Sequence, residues 1–522
     1  MRSLWLASVL AGVCSPLVGQ ARPLAGFDDY VAKALAEWRV PGVAIAIVRN
    51  DSVILAKGYG VKQLGRPDPV TAETLFEIGS TSKAFSSALA AMLVDDGVLR
   101  WDDPIRHHLP WFELADPYLS QHVTLRDAFS HRTGVLGTYN GVVTWTREKV
   151  LRQLRYLTPA VPFRSRYEYS NIMYSAAGEA VAAAAGKPWE DLLAERILEP
   201  LGMRRTTTDI SRIFDSTHFA KCFYCALPER PVTLADVRNG HDAALPHQMV
   251  GDSVRPIAWQ SYDNAVSAGS VISNATDLAQ WLRFLTSGGV YDGRRLLRSA
   301  TFEAMLTPQS VLYPSGWIQL VDSISPSTHF WSYGLGWRLN DYRSRKIVWH
   351  TGGIVGFLAY VGLVPEENLG IAVLSNGDMG YAWLPQALAY RIIDQHLGAP
   401  VRDWSREVLA LHAVDRARSR DAERALQAQR VSGAPPSRPL AAYAGRYRND
   451  LFGAVHVVAG QGGLEFRIPE GGYGALEPWH YDVFRLRLSG TWPGGQFATF
   501  AIGRDGAVAS VAIDGMGTFR RD

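Results

Sequence analysis

The order of the β-rich and helical segments restricts this chain more than any other feature of its sequence. Two β-rich runs flank Asn50-Asp51 in VAIAIVRNDSVILAKGYGV, and this dipeptide is typical of a hairpin turn. Three more follow late, in KIVWHTGGIVGFLAYVGLVPEENLGIAVLSN, and helical patterns fill most of the sequence between them. Strands at both ends with helices between predict an α/β unit whose sheet joins the two ends, and they disfavour a βαβ succession.

The predicted organisation is one large domain followed by a small all-β unit. A chain of 522 residues, 47% hydrophobic and 20% charged, can form more than one core. The α/β domain is predicted over residues 22–400, and a charged helical segment with the linker VSGAPPSRP over residues 401–439. Short alternating runs separated by Gly and Asp predict a β-barrel over residues 440–522. A net charge of only +3 argues against nucleic acid as a partner.

Residues 1–21 have the pattern of a secretory signal peptide. One arginine precedes a short apolar run, and Gly19 and Ala21 supply the small residues that cleavage requires. Val13 is larger than the residue that a lipoprotein site prefers before a cysteine such as Cys14, and an uncut N-terminal anchor is the other alternative. We predict a secreted or periplasmic protein with no transmembrane span, and the sequence leaves the oligomeric state open.

Two cysteines, Cys222 and Cys225, lie in an irregular stretch from about residue 206 to residue 264. In an oxidising compartment they can form a local disulfide. Together with His218 and His241 they could also supply zinc ligands, but nothing in the spacing makes the four side chains converge. The sequence therefore predicts no metal site and leaves the disulfide open.

Ser80 and Lys83, in FEIGSTSKAF, form the first pattern with chemical meaning. Residues three apart on a helix share a face, and a helix N-terminus places backbone N–H groups near a serine oxygen. A lysine held in a dry pocket can lose its proton and act as a base toward the serine hydroxyl. A capped helix with an exposed lysine explains the same letters, so this motif alone decides nothing.

Two later patterns are equally weak alone. In YEYSNIMY, a Tyr169 hydroxyl beside a lysine could have its pKa lowered and relay protons, while Asn171 could hold a substrate carbonyl. A core tyrosine followed by a helix N-cap is the alternative. In VWHTGGIVGF, His350 ends a strand, and the glycines after it would let a substrate chain lie against the strand edge. A plain β-turn is the alternative there.

In this order the three patterns resemble the motifs of the serine β-lactamase and D,D-peptidase superfamily. Further segments resemble its class C β-lactamase branch, among them VPGVAIAIV, LVDDGVLRWDDPIRHHLP, VTLRDAFSHRTGV, LGMRRT, ATDLAQWLRFL and YGLGW. The resemblance covers about residues 27–397. It implies an α/β (α+β) fold with an antiparallel sheet flanked by helices and an all-helical subdomain. The C-terminal part resembles the lipocalin-like β-barrel that is appended to some members.

The resemblance also implies roles for individual residues. Ser80 matches the nucleophile, Lys83 its activating partner and Tyr169 the proton relay. Substrate contacts fall to four residues: Asn171, His350, Thr351 and Gly352. The backbone N–H groups of Ser80 and Gly353 match the oxyanion hole. His350 stands where many β-lactamases have lysine, which disfavours efficient β-lactam hydrolysis and predicts that a protonated His350 binds a substrate carboxylate.

The predicted function is that of a secreted serine hydrolase that forms an acyl-enzyme on an amide or ester, without a metal or organic cofactor. Its predicted partner is a small-molecule or peptide substrate, preferably a D-amino-acid or peptidoglycan-type peptide. A β-lactamase or small-ester esterase of the same fold is an alternative. A penicillin-recognising sensor or binding protein that acylates without turnover is another, because a sequence does not reveal a deacylation rate.

Overall fold

The computed structural model describes residues 24–135, 137, 145–215, 219–220, 233–238, 241–250, 253–314, 319, 322–325, 328–377, 383–460, 463–468, 473–488 and 496–522. The predicted signal peptide, residues 1–21, lies outside these residues, and so do His218, Cys222 and Cys225. No helix in the described part of the chain is both long enough and apolar enough to cross a membrane.

An eight-stranded sheet joins the early and late parts of the chain, as predicted. Its strands are β1 Gly42–Arg49, β2 Ser52–Gly60, β3 Ser310–Val311, β4 Trp331–Tyr333, β5 Arg338–Tyr342, β6 Arg345–Ile354, β7 Phe357–Val364 and β8 Leu369–Ser375. All neighbours are antiparallel, in the order β3-β4-β5-β6-β7-β8-β1-β2. Asn50 and Asp51 both have positive φ, at 49° and 61°, which is the geometry of the predicted hairpin turn.

Helices cover both faces of the sheet. In chain order they are α1 Phe27–Trp38, α2 Ser82–Asp95, α3 Ile105–His108, α4 Pro117–His122, α5 Leu125–Phe129, α6 Arg147–Arg152, α7 Asn171–Ala185, α8 Trp189–Leu193, α9 Val266–Gly269, α10 Ala275–Thr286, α11 Ser299–Met305, α12 Leu384–His396 and α13 Trp404–Ala428. Val43, Ile45 and Ile47 of β1 pack in one core with α1 and α12, whereas Ala44 and Ala46 join the larger core that contains α2 and α7. The sheet is therefore buried on both sides, which confirms the predicted fold class.

The C-terminal residues form a closed eight-stranded barrel. Its strands are β9 Gly445–Asn449, β10 Gly453–Gly460, β11 Gly463–Arg467, β12 Tyr473–His480, β13 Val483–Leu488, β14 Gln496–Ile502, β15 Val508–Ile513 and β16 Gly517–Arg521. They follow one another around the barrel, which closes where β9 pairs with β16. Tyr443, Phe484 and Phe500 meet in the interior with ring centroids 5.0–5.3 Å apart. The barrel prediction is confirmed, and the likeness to lipocalins stays a prediction.

The barrel contacts both α13 and the residues beside α6. Glu423 of α13 accepts hydrogen bonds from Arg485 of the barrel at 2.6 and 2.9 Å. Phe452 at the β9–β10 turn packs against the larger core, and a Cβ on Gly453 would lie 3.2 Å from the Trp145 ring. The barrel is therefore docked beside α6 as well as tethered by α13.

Candidate active site

Ser80 lies in a tight turn that leads into α2. The turn, Gly79–Thr81, is a single 3₁₀ turn, and Gly79 has a φ of 52°. A Cβ on Gly79 would lie 2.8 Å from the nitrogen of Gly353, and one on Gly352 would lie 1.8 Å from the carbonyl oxygen of Ile78. Only glycine therefore allows the end of β6 to approach the Ser80 turn this closely.

Lys83 is fully buried beneath Ser80. Its Nζ atom lies 3.1 Å from Ser80 Oγ and donates to Asn171 Oδ1 at 2.7 Å and to the carbonyl oxygen of Ala268 at 2.8 Å. Burial, assisted by the positive charge of Arg338, holds the pKa of the Lys83 amine well below its usual value. A lysine in this environment can be neutral and can accept the proton of the neighbouring hydroxyl.

Tyr169 completes the contacts of the serine hydroxyl. Its phenol donates to Ser80 Oγ at 2.8 Å, and its ring lies 4.9 Å from Lys83 Nζ. The expectation of a lowered pKa is wrong, because burial raises the pKa of Tyr169 to about 12 and outweighs the hydrogen bond to Ser80. The resting phenol is therefore protonated, and Lys83 is the group in the site that is prepared to act as a base.

Asn171 begins α7, and its side chain holds Lys83 from the side opposite Ser80. The preceding residue, Ser170, is the N-cap, but its side chain makes no capping hydrogen bond. The alternative explanation of the Tyr-Ser-Asn pattern was a helix cap preceded by a core tyrosine. It fits the positions of these residues, but it does not explain the contacts of Tyr169 with Ser80 and of Asn171 with Lys83. Instead, the start of α7 places the Tyr169 hydroxyl against the Ser80 hydroxyl and the Asn171 side chain against the Lys83 amine.

The end of β6 forms the opposite wall of the site. β5 pairs with β6 only from Arg345 to Trp349, whereas β7 pairs as far as Ile354. From His350 onward, one edge of β6 therefore faces the Ser80 turn. Gly353 is exposed, and its backbone nitrogen is the atom that a Cβ on Gly79 would meet. The geometry suits two backbone N–H groups, those of Ser80 and Gly353, that could stabilise an oxyanion.

His350 does not supply the positive charge that was expected of it. Only 1% of the residue is exposed, and its Nε2 atom accepts a hydrogen bond from Tyr333 at 3.0 Å. Its Nδ1 atom donates to the carbonyl oxygen of Thr351 at 2.6 Å. Burial and the nearby charges of Arg338 and Lys83 hold its pKa well below the usual value, so the ring is neutral at physiological pH.

Two residues near the site were missed by the sequence reasoning. Arg338 begins β5 and pairs with Trp349, the residue before His350. Its guanidinium lies 5.7 Å from the Trp349 ring, and its Nε atom has no hydrogen-bond partner among the described residues. His131, in the segment SHRTGV, is buried beneath Tyr169. The one sequence feature that marks Arg338 is its position directly after the segment YGLGW, and this position does not predict where its side chain points.

The described residues contain no group of His, Cys, Asp and Glu side chains that could hold a metal ion. His241, one of the zinc ligands considered above, is exposed. A serine hydroxyl held between a buried lysine and a phenol is an arrangement that suits a serine hydrolase.

The chain belongs to the β-lactamase family: a family model described as "Beta-lactamase" matches residues 27–390. A second model, described as "Domain of unknown function (DUF3471)", matches residues 429–520. The chain is 30% identical over 441 residues to the "Unguisins hydrolase ungD'" of Aspergillus campestris, covering 81% of this chain and 75% of that protein. It is 23% identical to the "D-alanyl-D-alanine-carboxypeptidase/endopeptidase AmpH" of Escherichia coli, covering 72% and 91%.

Solved structures share the fold. The octameric penicillin-binding protein homologue from Pyrococcus abyssi aligns with a TM-score of 0.59 at 20% identity, over 95% of this chain and 100% of that chain. A class C β-lactamase from Rhodobacter sphaeroides aligns with a TM-score of 0.54 at 20% identity, over 73% and 100%.

Proposed function

We propose that this protein hydrolyses peptides next to a C-terminal D-amino acid whose carboxylate is free, through an acyl-enzyme on Ser80. The observation that carries the proposal is that Ser80 Oγ lies 3.1 Å from Lys83 Nζ and 2.8 Å from the Tyr169 hydroxyl. The name of one relative, a D-alanyl-D-alanine-carboxypeptidase/endopeptidase, supports a peptide-type substrate. Export directed by residues 1–21 is part of the same proposal.

In the first step, Ser80 Oγ attacks the scissile carbonyl carbon, and the neutral Lys83 amine takes the hydroxyl proton. The N–H groups of Ser80 and Gly353 hold the oxyanion that forms, and Asn171 contacts the substrate amide. Because Lys83 is surrounded by protein and its pKa is lowered, it accepts the proton without first having to lose one to solvent.

In the second step, the C–N bond breaks and the leaving nitrogen receives a proton. Tyr169 donates it and is reprotonated by the Lys83 ammonium, so the acyl group remains on Ser80 as an ester. Water then attacks the carbonyl carbon of this ester, and Lys83 and Tyr169 take a proton from the water. The bond between the acyl group and Ser80 Oγ breaks, and the same proton passes to Oγ, so that Ser80 recovers its hydroxyl. Thr351 and Gly352 lie on the open edge of β6, where an extended substrate chain could pair with the strand.

Arg338 is the residue that we propose binds the substrate carboxylate, in place of His350. Its guanidinium lies beside the Trp349 ring, next to His350 in the chain, and its positive charge contributes to the lowered pKa values of both Lys83 and His350. No carboxylate in the described part of the chain forms an ion pair with it. A guanidinium near a reacting centre, without a protein counter-ion, is suited to a carboxylate from the substrate.

Replacing Arg338 by Gln should impair only substrates with a free carboxylate. We expect KM for a D-Ala-D-Ala peptide to rise on the order of 10- to 100-fold, because a charge-assisted hydrogen bond contributes roughly 1.5–3 kcal/mol. KM for the C-terminal amide of the same peptide should change less than about threefold. The measurement is the ratio of the two KM values.

Arg345→Gln is the matched control for this test, because Arg345 lies in the same sheet but is paired with Glu367 at 2.8 Å. Its ratio of KM values should equal that of the unmodified enzyme. Equal losses on the acid and the amide in Arg338→Gln would show that Arg338 has a structural role and does not bind the carboxylate.

The alternative functions within the same fold differ in how fast the acyl-enzyme is hydrolysed. A sensor would show one burst of acylation and no turnover, whereas a hydrolase continues after the burst. A β-lactam and a small ester test the remaining alternatives, and a neutral ester should be indifferent to Arg338. Single-turnover and steady-state measurements on the D-Ala-D-Ala peptide, a penicillin and an ester therefore rank the substrate classes.

The division into a hydrolase domain at residues 22–400, a linking segment at residues 401–439 and a barrel at residues 440–522 is also a proposal. A chain that ends after Arg430 should still be acylated at Ser80 within about threefold of the full-length rate, because every site residue lies before the linker. Its Tm should fall, since Phe452 no longer covers the larger core. Acylation by a labelled penicillin and circular dichroism measure the two effects. Loss of acylation in a natively folded shortened chain would mean that the barrel supplies part of the site.

A further inference from the structure

His131 occupies an uncommon backbone conformation directly behind the site. It follows α5, and its φ of 56° is in the left-handed region, which is uncommon for residues other than glycine. The side chain is completely buried, with 0% exposure. Such a conformation persists where the surrounding structure enforces it, often at functional sites.

Two hydrogen bonds connect His131 to the segment that carries Tyr169. The backbone N–H of Glu168 donates to the carbonyl oxygen of His131 at 2.7 Å. The backbone N–H of Ser170 donates to His131 Nδ1 at 3.0 Å. His131 therefore holds the residues on both sides of Tyr169, one through its backbone and the other through its ring.

The His131 ring also packs against the Tyr169 ring. The two centroids are 4.3 Å apart with an interplanar angle of 38°. Rings of Tyr174, Tyr333 and Tyr167 surround the imidazole on its other sides at 5.1, 4.9 and 5.5 Å. This packing leaves Tyr169 little freedom to rotate away from Ser80.

The hydrogen bonds determine the tautomer of the imidazole. Because Nδ1 accepts the Ser170 N–H, the ring proton of neutral His131 is on Nε2. Nε2 has no partner among the described residues. The groups around the ring are the four tyrosines, Lys83, His350 and the guanidinium of Arg338. Burial opposes protonation of the ring, a positive charge on any of these last three groups adds to that effect, and a proton on Nδ1 would displace the Ser170 N–H.

We propose that His131 is a positioning residue for the reaction: as a neutral Nε2–H tautomer it fixes the Tyr169 phenol against Ser80. The inference rests on the proposed function, since it requires Tyr169 to transfer protons at Ser80. It adds a specific mechanism, because the residue acts only through Tyr169 and touches no reacting atom. A purely structural histidine would affect folding and would not depend on the phenol.

A double-mutant cycle separates these two roles. His131→Asn keeps a residue type that tolerates positive φ, and we expect it to lower kcat/KM on the order of 10- to 100-fold, mainly through kcat. In a Tyr169→Phe background the same substitution should change kcat/KM less than about twofold, because the group that it positions is gone. Equal effects in both backgrounds would overturn the proposal.

His247→Asn is the matched control. His247 is also fully buried and neutral, with Nε2 accepting the Leu64 N–H at 3.0 Å and Nδ1 donating to the Asn376 carbonyl at 3.1 Å. Any effect of its substitution should be the same with and without the Tyr169 hydroxyl. A coupling to Tyr169 as large as that of His131 would show that the cycle reports general loosening, which would also overturn the proposal.

A measurement on the unmodified chain tests the proposal even if His131→Asn folds poorly. ¹⁵N NMR of histidine-labelled protein should contain one Nε2–H ring that stays neutral from pH ~5 to ~9 and shifts when Ser80 is acylated. His350 and His247 are both Nδ1–H tautomers, so their signals differ from that of His131, and the sensitivity to acylation separates His131 from the other histidines. Absence of an acylation-sensitive Nε2–H ring would overturn the proposal. Turnover by Ser80→Ala would instead contradict the proposed function, whatever His131 does.

Discussion

A Ser80→Ala protein should fold normally and lose turnover by on the order of 10⁴-fold or more, because the hydroxyl is the nucleophile. Folding should survive since Lys83 retains two of its acceptors, Asn171 Oδ1 and the Ala268 carbonyl oxygen. Steady-state hydrolysis of an ester and of a D-Ala-D-Ala peptide measures the loss. Mass spectrometry of the unmodified protein treated with a labelled penicillin or a fluorophosphonate should locate the adduct on Ser80.

Ser82→Ala is the matched control in the same turn. Ser82 is fully buried and its Oγ accepts the Val271 N–H at 3.1 Å, so its loss should cost about 1–2 kcal/mol of stability. The labelling of Ser80 should be unaffected. Turnover by Ser80→Ala at more than about one hundredth of the normal rate would mean that another group forms the acyl-enzyme.

Replacing Lys83 by Met should lower kcat/KM for a neutral ester on the order of 10³-fold, because the general base is removed while the side-chain volume is nearly kept. Lys346→Met is the control. Lys346 is also partly buried with a lowered pKa and donates to the Leu306 carbonyl oxygen at 2.6 Å, but it lies away from the site. A large loss in both variants would indicate a general effect of removing a buried lysine.

The pH dependence gives Lys83 a signature of its own. Below its lowered pKa, Lys83 is protonated and cannot accept the Ser80 proton, so kcat/KM for the ester should rise with pH through that pKa and then level off. Stability changes in the same direction. An unfolded lysine holds its proton up to pH ~10.4, so the unfolded chain binds more protons than the native chain between the two pKa values. The free energy of unfolding contributed by this group therefore rises with pH there, and Lys83→Met should lack that slope.

The sequence predicted which residues meet in the site better than it predicted their protonation states. Ser80, Lys83, Tyr169 and Asn171 could be placed together because their motifs, in this order, resemble those of the serine β-lactamase and D,D-peptidase superfamily, and the structure brings these four side chains into contact. The protonation states could not be predicted. Burial decides them, and burial depends on tertiary packing, which raised the pKa of Tyr169 where proximity to lysine was expected to lower it.

Arg338 and His131 were beyond the reach of sequence reasoning for a related reason. Arg338 pairs with Trp349 and its guanidinium lies beside the Trp349 ring, and this register cannot be read from the sequence of either strand. His131 is a histidine in a loop until the hydrogen bond from Ser170 and the rings of the surrounding tyrosines are known. A sheet that joins the early and late parts of the chain was predictable, in contrast, because β-rich runs occur at both ends with helical patterns between them.

The pairing of β1 with β8 also determines when the sheet can be completed during synthesis of the chain. Gly42 donates its N–H to the side chain of Asn376, 334 residues later in the chain. At about 5–20 residues per second, the ribosome needs on the order of tens of seconds to deliver that partner. The edge of β1 that later pairs with β8 stays open meanwhile, and its unpaired N–H and C=O groups can pair with other nascent chains. We therefore expect the newly made chain to depend on a chaperone during this interval, and chains released before Asn376 to lack hydrolase activity.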